Sequence, residues 1–169
     1  RIFRMSTALE KAMHRIETTL AISGFQLFPH QRDGIQWMLS HELSPNDGTV
    51  QPVGLLADDP GLGKTIQTIS VILGNHAGKT LIVVPVSIME QWRNAIQKIL
   101  PDANIRIHHG NSMFSSKKDI ISHPCEIVIT GYNQLFRVVN KKYEPTVLHS
   151  YIWGRVILDE CHTIRNSST

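Results

Sequence analysis

Apolar positions recur every three or four residues at Leu9, Met13, Ile16 and Leu20, a period that predicts an amphipathic helix over 6–22. Ser6 stands where a cap is needed, and Gly24 is a suitable stop. An apolar lead-in over 25–28 reaches Pro29, which suits the first turn of a second helix over 30–41. That helix would turn Ile35, Trp37, Met38 and Leu39 towards a core. Pro45-Asn46-Asp47-Gly48 then marks an exposed loop over 42–52. From here the pattern changes. The apolar run 53–57 predicts a short buried strand that enters a glycine-rich turn, and Lys64-Thr65 opens a helix over 64–75 carrying Ile66, Ile69 and Ile72. Residues 80–84 are continuously apolar, as in a strand buried on both faces. Pro85 ends that strand, Ser87 caps a helix to about Leu100, and Pro101-Asp102 breaks it. Strands over 105–109, 126–130 and 155–159, a short helix within 111–122, a helix over 132–139 and a polar connection at 140–142 complete the prediction. Strands alternating with helices predict an α/β fold, a mainly parallel sheet flanked by helices. Ligands in such sheets gather at the carboxyl ends of the strands, where the glycine loop, Pro85, Thr130 and Asp159 all fall.

Two of these strand ends carry recognisable chemistry. Gly61-Leu62-Gly63-Lys64-Thr65 between a strand and a helix is the arrangement that cradles nucleotide phosphates. Backbone N–H groups and the helix N-terminus face the anion, the lysine reaches the β- and γ-phosphates, and the threonine hydroxyl is placed to hold Mg²⁺. The fit to G-x-x-x-x-G-K-[ST] is incomplete, because Asp58 stands where the first glycine is expected. An ordinary glycine-rich turn is the alternative. Asp159-Glu160 follows the last apolar strand. A carboxylate there can hold Mg²⁺, and the next can orient or deprotonate an attacking water. Such a pair is common on surfaces; the glycine loop upstream and His162 just after make it specific.

Composition narrows the class rather than the function. The 169 residues suffice for one domain, and 41% hydrophobic with 18% charged residues is a globular balance. No stretch reaches the roughly 18 apolar residues of a membrane span, and nothing reads as a signal peptide. Arg1 in place of Met leads to the expectation of a processed chain or an excised fragment. Cys125 and Cys161 have no C-x-x-C spacing and are expected as reduced thiols of an intracellular protein. The nine histidines carry no metal spacing, and His108-His109 on a strand would face opposite sides. A net charge of +3 is compatible with a polyanionic partner. Lys117-Lys118 and Lys141-Lys142 read as solvated faces, and Trp37, Trp92 and Trp153 as core.

Asp159-Glu160-Cys161-His162 is a D-E-x-H box. With Leu56-Ala57-Asp58-Asp59-Pro60-Gly61-Leu62-Gly63-Lys64-Thr65 it resembles the Swi/Snf-related ATPases of helicase superfamily two. Asp58-Asp59 and Cys161-His162-Thr163-Ile164-Arg165-Asn166 look most like the branch of the helicase-like transcription factor and the yeast post-replication repair ATPases. The resemblance covers 25–169 and implies a P-loop, RecA-like first lobe truncated after the D-E-x-H box, with 1–24 as a leading helical segment.

The resemblance also implies roles. Gln31, in Phe28-Pro29-His30-Gln31, would read adenine; Asp58, Gly61, Leu62, Gly63, Lys64 and Thr65 would hold ATP; Thr65 and Asp159 would hold Mg²⁺. Lys64, Asp159, Glu160 and His162 form the implied catalytic set, with Glu160 as base and His162 linking nucleotide state to lobe position. Pro85 and Ser87, in Val83-Val84-Pro85-Val86-Ser87, and Thr130 and Tyr132, in Ile129-Thr130-Gly131-Tyr132, would meet a DNA strand. Each of these has a plain structural alternative: a solvated glutamine, a simple strand-to-helix turn, a threonine with a structural role only. Pro60 replaces the family's usual methionine, Gly131 a usual threonine and Cys161 a small residue. The implied function is an ATP-driven translocase on double-stranded DNA in chromatin remodelling or DNA repair. It would be nuclear, with nucleosome or repair-complex partners, no membrane, and a second lobe supplying arginine fingers. The alternatives are an RNA helicase lobe of the same superfamily and an inactive or nucleotide-dependent scaffold.

Overall fold

The structure, a computed structural model, describes residues 7–43 and 54–160, and the chain divides into two compact units, one up to His76 and one from Ala77. Ser6, the turn Pro45-Asn46-Asp47-Gly48, Val53, Cys161, His162 and Arg165-Asn166 lie outside the described residues.

The first unit contains three helices: α1 (Thr7–Ile22), α2 (Pro29–Glu42) and α3 (Lys64–Gly74). Leu9, Met13, Ile16 and Leu20 of α1 are buried, as their period requires. Gly24 takes φ +76°, the left-handed stop that glycine adopts at little cost. The helix expected as a leading segment packs with α2 and α3. A side chain at Gly74 would meet Ile16 and Leu39, so the last turn of α3 fits closely between the other two. Trp37 departs from expectation: it is 42% exposed, its ring set against His41. The larger correction concerns 53–57. Among the described residues Gly54 to Ala57 join no strand ladder, and Leu55 is 75% exposed. An apolar run states a preference for burial, but a strand exists only where a neighbour pairs with its backbone.

The second unit carries a four-stranded parallel sheet ordered β2 (Ile105–His108), β3 (Ile127–Gly131), β1 (Thr80–Val84), β6 (Arg155–Leu158). β1 is buried at every residue, and its neighbours register Ile82 against Ile129 and Ile157. Alternation along the strands divides the core. Leu81, Val83 and Val128 face one way, against Phe114, Ile120 of α5 (Lys117–Ser122) and Leu148. Gly131, on the other face with Ile127 and Ile129, lies under Met89, the first residue of α4 (Met89–Ile99). α4 buries Met89, Trp92, Ile96 and Ile99. Trp153 is partly buried against the first of these clusters.

Two local predictions fail here. Ser87 does not cap α4: it sits exposed in a 3₁₀ turn, Val86–Ile88, and Ile88 precedes the helix without a side-chain cap. The helix predicted over 132–139 is a 3₁₀ turn, Tyr132–Gln134, followed by the hairpin β4 (Phe136–Val139) and β5 (Lys142–Pro145). Asn140 and Lys141 take φ +51° and +62°, the conformation of a tight two-residue hairpin turn, and Val138-Val139 suits a pleated strand better than a helix. Lys117, Lys118, Lys141 and Lys142 are exposed, and Cys125 is a buried free thiol.

His108 and His109 do face differently, with His108 buried and His109 half-buried. His108 Nδ1 accepts the Phe114 N–H at 3.0 Å, so the ring is held neutral. Burial first, and the Arg106 charge second, lower its pKa from 6.5 to about 4. Unfolded chains take up that proton near 6.5 while the fold refuses it until about 4, so stability is full above this window and declines as pH falls through it. Replacing His108 by Asn keeps an acceptor and should flatten the decline, as read from denaturation midpoints at about pH 7 and pH 5. Ile82→Ala, in the middle of β1, should cost about 3 kcal/mol in the same measurement.

Candidate nucleotide and metal site

The glycine loop is built as a turn on a helix. Leu62 N–H donates to the Asp59 carbonyl at 3.3 Å, with Pro60 and Gly61 between them. Pro60 presets its own φ and Gly61 takes φ +88°, the pattern of a type II turn. Proline therefore suits position 60, and the bond that closes the turn does not use its missing N–H. Gly63 takes φ +81° and precedes α3 as its cap residue. The first N–H groups of α3, at Lys64 and Thr65, have no partner within the helix by geometry and mark an anion-binding end.

Lys64 folds back over this turn. Its ammonium donates to the Asp58 carbonyl at 2.8 Å and to the Asp59 carbonyl at 3.4 Å. Asp58 is fixed a second time by its side chain, whose Oδ2 accepts the Gln67 amide at 2.8 Å. Gln67 is fully buried, and its Oε1 is without a hydrogen-bond partner among the described residues. A side chain at Gly34 on α2 would overlap that oxygen, so glycine there makes room for the amide.

Gln31 is brought to the loop. Its Oε1 accepts the Phe28 N–H at 3.1 Å, which caps α2, and its Nε2 donates to the Leu62 carbonyl at 3.0 Å. His30 Nε2 reaches the same carbonyl at 3.3 Å. Gln31, Asp58, Gly61, Leu62, Gly63, Lys64 and Thr65, all singled out from the sequence, thus meet in one place in the first unit. His30, Gly34 and Gln67 were missed. His30 adjoins Gln31, and Gln67 lies one turn after Lys64, but only the folded loop makes them partners.

In the second unit the structure gathers a different set around Asp159. The Asp159 N–H donates to the Val83 carbonyl at 3.0 Å, extending the β1–β6 ladder by one residue. Its Oδ2 accepts the Trp92 indole at 2.9 Å, its Oδ1 accepts the Glu160 N–H at 3.0 Å, and its carbonyl accepts the Tyr132 hydroxyl at 2.6 Å. Glu160 is exposed and takes φ +53°. Tyr132, expected to meet nucleic acid, donates its hydroxyl to the Asp159 carbonyl. Thr130, expected there too, is wholly buried, and its hydroxyl donates to the His108 carbonyl at 3.1 Å. Pro85 and Ser87 stand at the start of α4, Pro85 accepting the Ile88 N–H at 3.0 Å. Gly131 is closely packed: a side chain there would press on Asn133, Met89 and Val86, whose side chains would have to shift.

The donors fit the groups expected. Carboxylate and hydroxyl oxygens, as on Asp159 and Thr65, suit Mg²⁺, and a lysine over a glycine turn at a helix N-terminus suits phosphate. Among the described residues no group of three or more His, Cys, Asp or Glu could hold a metal by itself, and no helix is long and apolar enough to cross a membrane.

Residues 30–169 match the family described as SNF2-related domain. An uncharacterized ATP-dependent helicase of Schizosaccharomyces pombe is 36% identical, over 85% of this chain and 15% of its own. The DNA excision repair protein ERCC-6-like of Danio rerio is 33% identical, over 85% of this chain and 10% of its own. The ISWI chromatin-remodeling complex ATPase ISW2 of Saccharomyces cerevisiae is 29% identical, over 90% and 13%. Among solved structures, the Sulfolobus solfataricus SWI2/SNF2 ATPase core in complex with dsDNA superposes with a TM-score of 0.65 at 28% identity, over 86% of this chain and 28% of that one. The chain therefore spans a small part of the relatives it matches.

The two loop glycines separate backbone strain from crowding. Gly61→Ala meets open space and bears only the left-handed penalty of about 1 kcal/mol, whereas Gly63→Ala bears that penalty and displaces Gln31 Nε2 as well. Thermal denaturation should rank Gly63→Ala as the more destabilising by about 1 kcal/mol or more.

Proposed function

The chain belongs to the family of SNF2-related domains, and on that premise we propose that it is the ATP-binding first lobe of a DNA-dependent ATPase that translocates on double-stranded DNA. The observation that carries the reading is the Lys64 ammonium, folded onto the Asp58 and Asp59 carbonyls above a glycine turn to which Gln31 is docked. Those carbonyl bonds are ones a phosphate can replace without leaving the lysine charge unpaired. In this reading Lys64 neutralises the β- and γ-phosphates, and Gly61, Leu62, Gly63 and Thr65 line them. Gln31 sets the adenine end, with an amide already oriented by α2. Mg²⁺, when bound, would neutralise charge on the transferred phosphoryl group. The Thr65 hydroxyl is the first unit's proposed ligand and the Asp159 carboxylate the second unit's. Glu160 orients the attacking water and accepts its proton, and His162 reports the nucleotide state to the remainder of the protein. The 3₁₀ turn before α4, with Ser87 exposed on it and Pro85 at its entrance, is offered to a DNA backbone phosphate.

The finer reading follows the motifs already described. Asp58-Asp59 and Cys161 to Asn166 favour the branch of the helicase-like transcription factor and post-replication repair ATPases. That implies a nuclear protein working beside nucleosome or repair-complex proteins. Catalysis belongs to the complete protein, and a second lobe would close the cleft.

The test is ATP hydrolysis by the complete protein with duplex DNA, with RNA, and with neither. Duplex DNA should stimulate turnover more than RNA does. Lys64→Ala should lower stimulated turnover about a hundredfold or more, and Glu160→Gln by about 10²- to 10⁴-fold. Turnover retained in both variants would remove these residues from their roles; stimulation by RNA alone would move the protein to the helicases that act on RNA.

A further inference from the structure

Asp159 is held by three other segments of its own unit and by its neighbour in the chain. Its N–H donates to the Val83 carbonyl, the Trp92 indole donates to Oδ2, the Glu160 N–H donates to Oδ1, and the Tyr132 hydroxyl donates to its carbonyl. Trp92 and Tyr132 were expected in other roles, as core and as a nucleic-acid contact. Trp92 is 4% exposed. A buried indole can only donate, so its N–H needs an acceptor, and here the acceptor is a carboxylate oxygen rather than a backbone carbonyl. That bond is charge-assisted and directional. With Oδ1 and Oδ2 each engaged, the carboxylate cannot rotate without breaking one of these bonds, and its remaining lone pairs point in fixed directions. Groups that orient a metal's carboxylate in this way are the usual outer partners of a metal site.

The positions of the two donors matter as much as their bonds. Trp92 lies in the first turn of α4, directly after the 3₁₀ turn Val86–Ile88 that carries Ser87. Tyr132 opens the 3₁₀ turn Tyr132–Gln134, directly after β3. Hydrogen bonds at 2.9 and 2.6 Å tolerate shifts of only a few tenths of an ångström. Movement of either strand-end turn is therefore felt at Asp159.

We infer that Trp92 and Tyr132 are positioning residues for Asp159, Trp92 through the carboxylate and Tyr132 through the backbone carbonyl, and that Trp92 joins the turn proposed to meet DNA to the metal-holding group. DNA seated on the start of α4 then sets the orientation of Asp159, which gives the stimulation by DNA a physical route within this unit. The inference rests on the reading of Asp159 as a metal ligand.

The test uses the complete protein and two conservative changes. Trp92→Phe keeps a ring in the core and removes the N–H; Tyr132→Phe removes only the hydroxyl. Mn²⁺ is titrated into protein saturated with ATPγS and followed by the electron paramagnetic resonance of the free ion. Metal-free ATPγS affinity and hydrolysis over a range of duplex DNA concentrations are measured alongside. Each variant should bind Mn²⁺ about tenfold more weakly, with metal-free nucleotide affinity unchanged. Maximal DNA-stimulated turnover should fall by a similar factor while the DNA concentration giving half of it stays put. In an Asp159→Asn background, Trp92→Phe should add nothing further. Wild-type Mn²⁺ affinity in both folded variants overturns the inference. If Asp159→Asn itself leaves Mn²⁺ binding intact, the metal-ligand reading has failed and the inference falls with it. Should Trp92→Phe fail to fold, Tyr132→Phe decides alone, since its half-buried ring keeps its packing.

Discussion

The central strand β1 is the constraint on which the second unit depends. All five of its residues are buried, so none of its backbone groups can turn to water. They must be paired on both sides, and β3 and β6 do this in parallel register. Parallel pairing aligns the carboxyl ends of the strands. The ladder continues one residue past β6, where Asp159 N–H meets the Val83 carbonyl. The position of Asp159 is thus a consequence of backbone satisfaction in β1. Its side chain is then directed by α4 and its carbonyl by the turn after β3, elements that the same sheet holds in place.

The first unit solves a different problem. A loop that receives an anion must present N–H groups while empty, and its lysine charge needs acceptors in the meantime. The turn at Pro60-Gly61 and the left-handed Gly63 shape the backbone, and the carbonyls of Asp58 and Asp59 accept the Lys64 ammonium. Gln67 steadies Asp58 from behind, and Gln31 and His30 steady Leu62 from the side. Pro60, the oddest residue of the motif, becomes intelligible here: it rigidifies a turn closed by a neighbour's N–H. Gly131 is likewise set among Asn133, Met89 and Val86, which would have to shift for a side chain there.

Much of both sites was legible in the sequence. The glycine loop, Lys64, Thr65, Gln31 and Asp159 were found because phosphate and metal chemistry demand particular residue types at short spacing, and short spacing survives folding. The supporting residues were not. Trp92 was read as core, which its burial bears out, but nothing in an amphipathic period says where an indole N–H points. Tyr132 and Thr130 belong to one short motif, yet one hydroxyl goes to Asp159 and the other to His108. Thr130 lies within β3, whereas Tyr132 lies past its end in a 3₁₀ turn, where the alternation of the strand no longer sets the direction of a side chain.

What the sequence determined by itself is therefore the local and the periodic. The helices α1, α2 and α3, the buried strands β1 and β3, and the residue types of the phosphate loop follow from spacing, turn chemistry and apolar runs. Tertiary structure decided whatever needs a partner distant in the chain. It left Gly54 to Ala57 outside any ladder, made a hairpin of 136–145 where a helix was predicted, and brought Trp37 to the surface. It also brought three distant segments to one residue, with Val83 and Tyr132 on the backbone of Asp159 and Trp92 on its carboxylate. The physical reason is common to all of these. A backbone or side-chain polar group carries its demand for a hydrogen bond in its chemistry, but which group meets that demand is fixed only when the chain has packed.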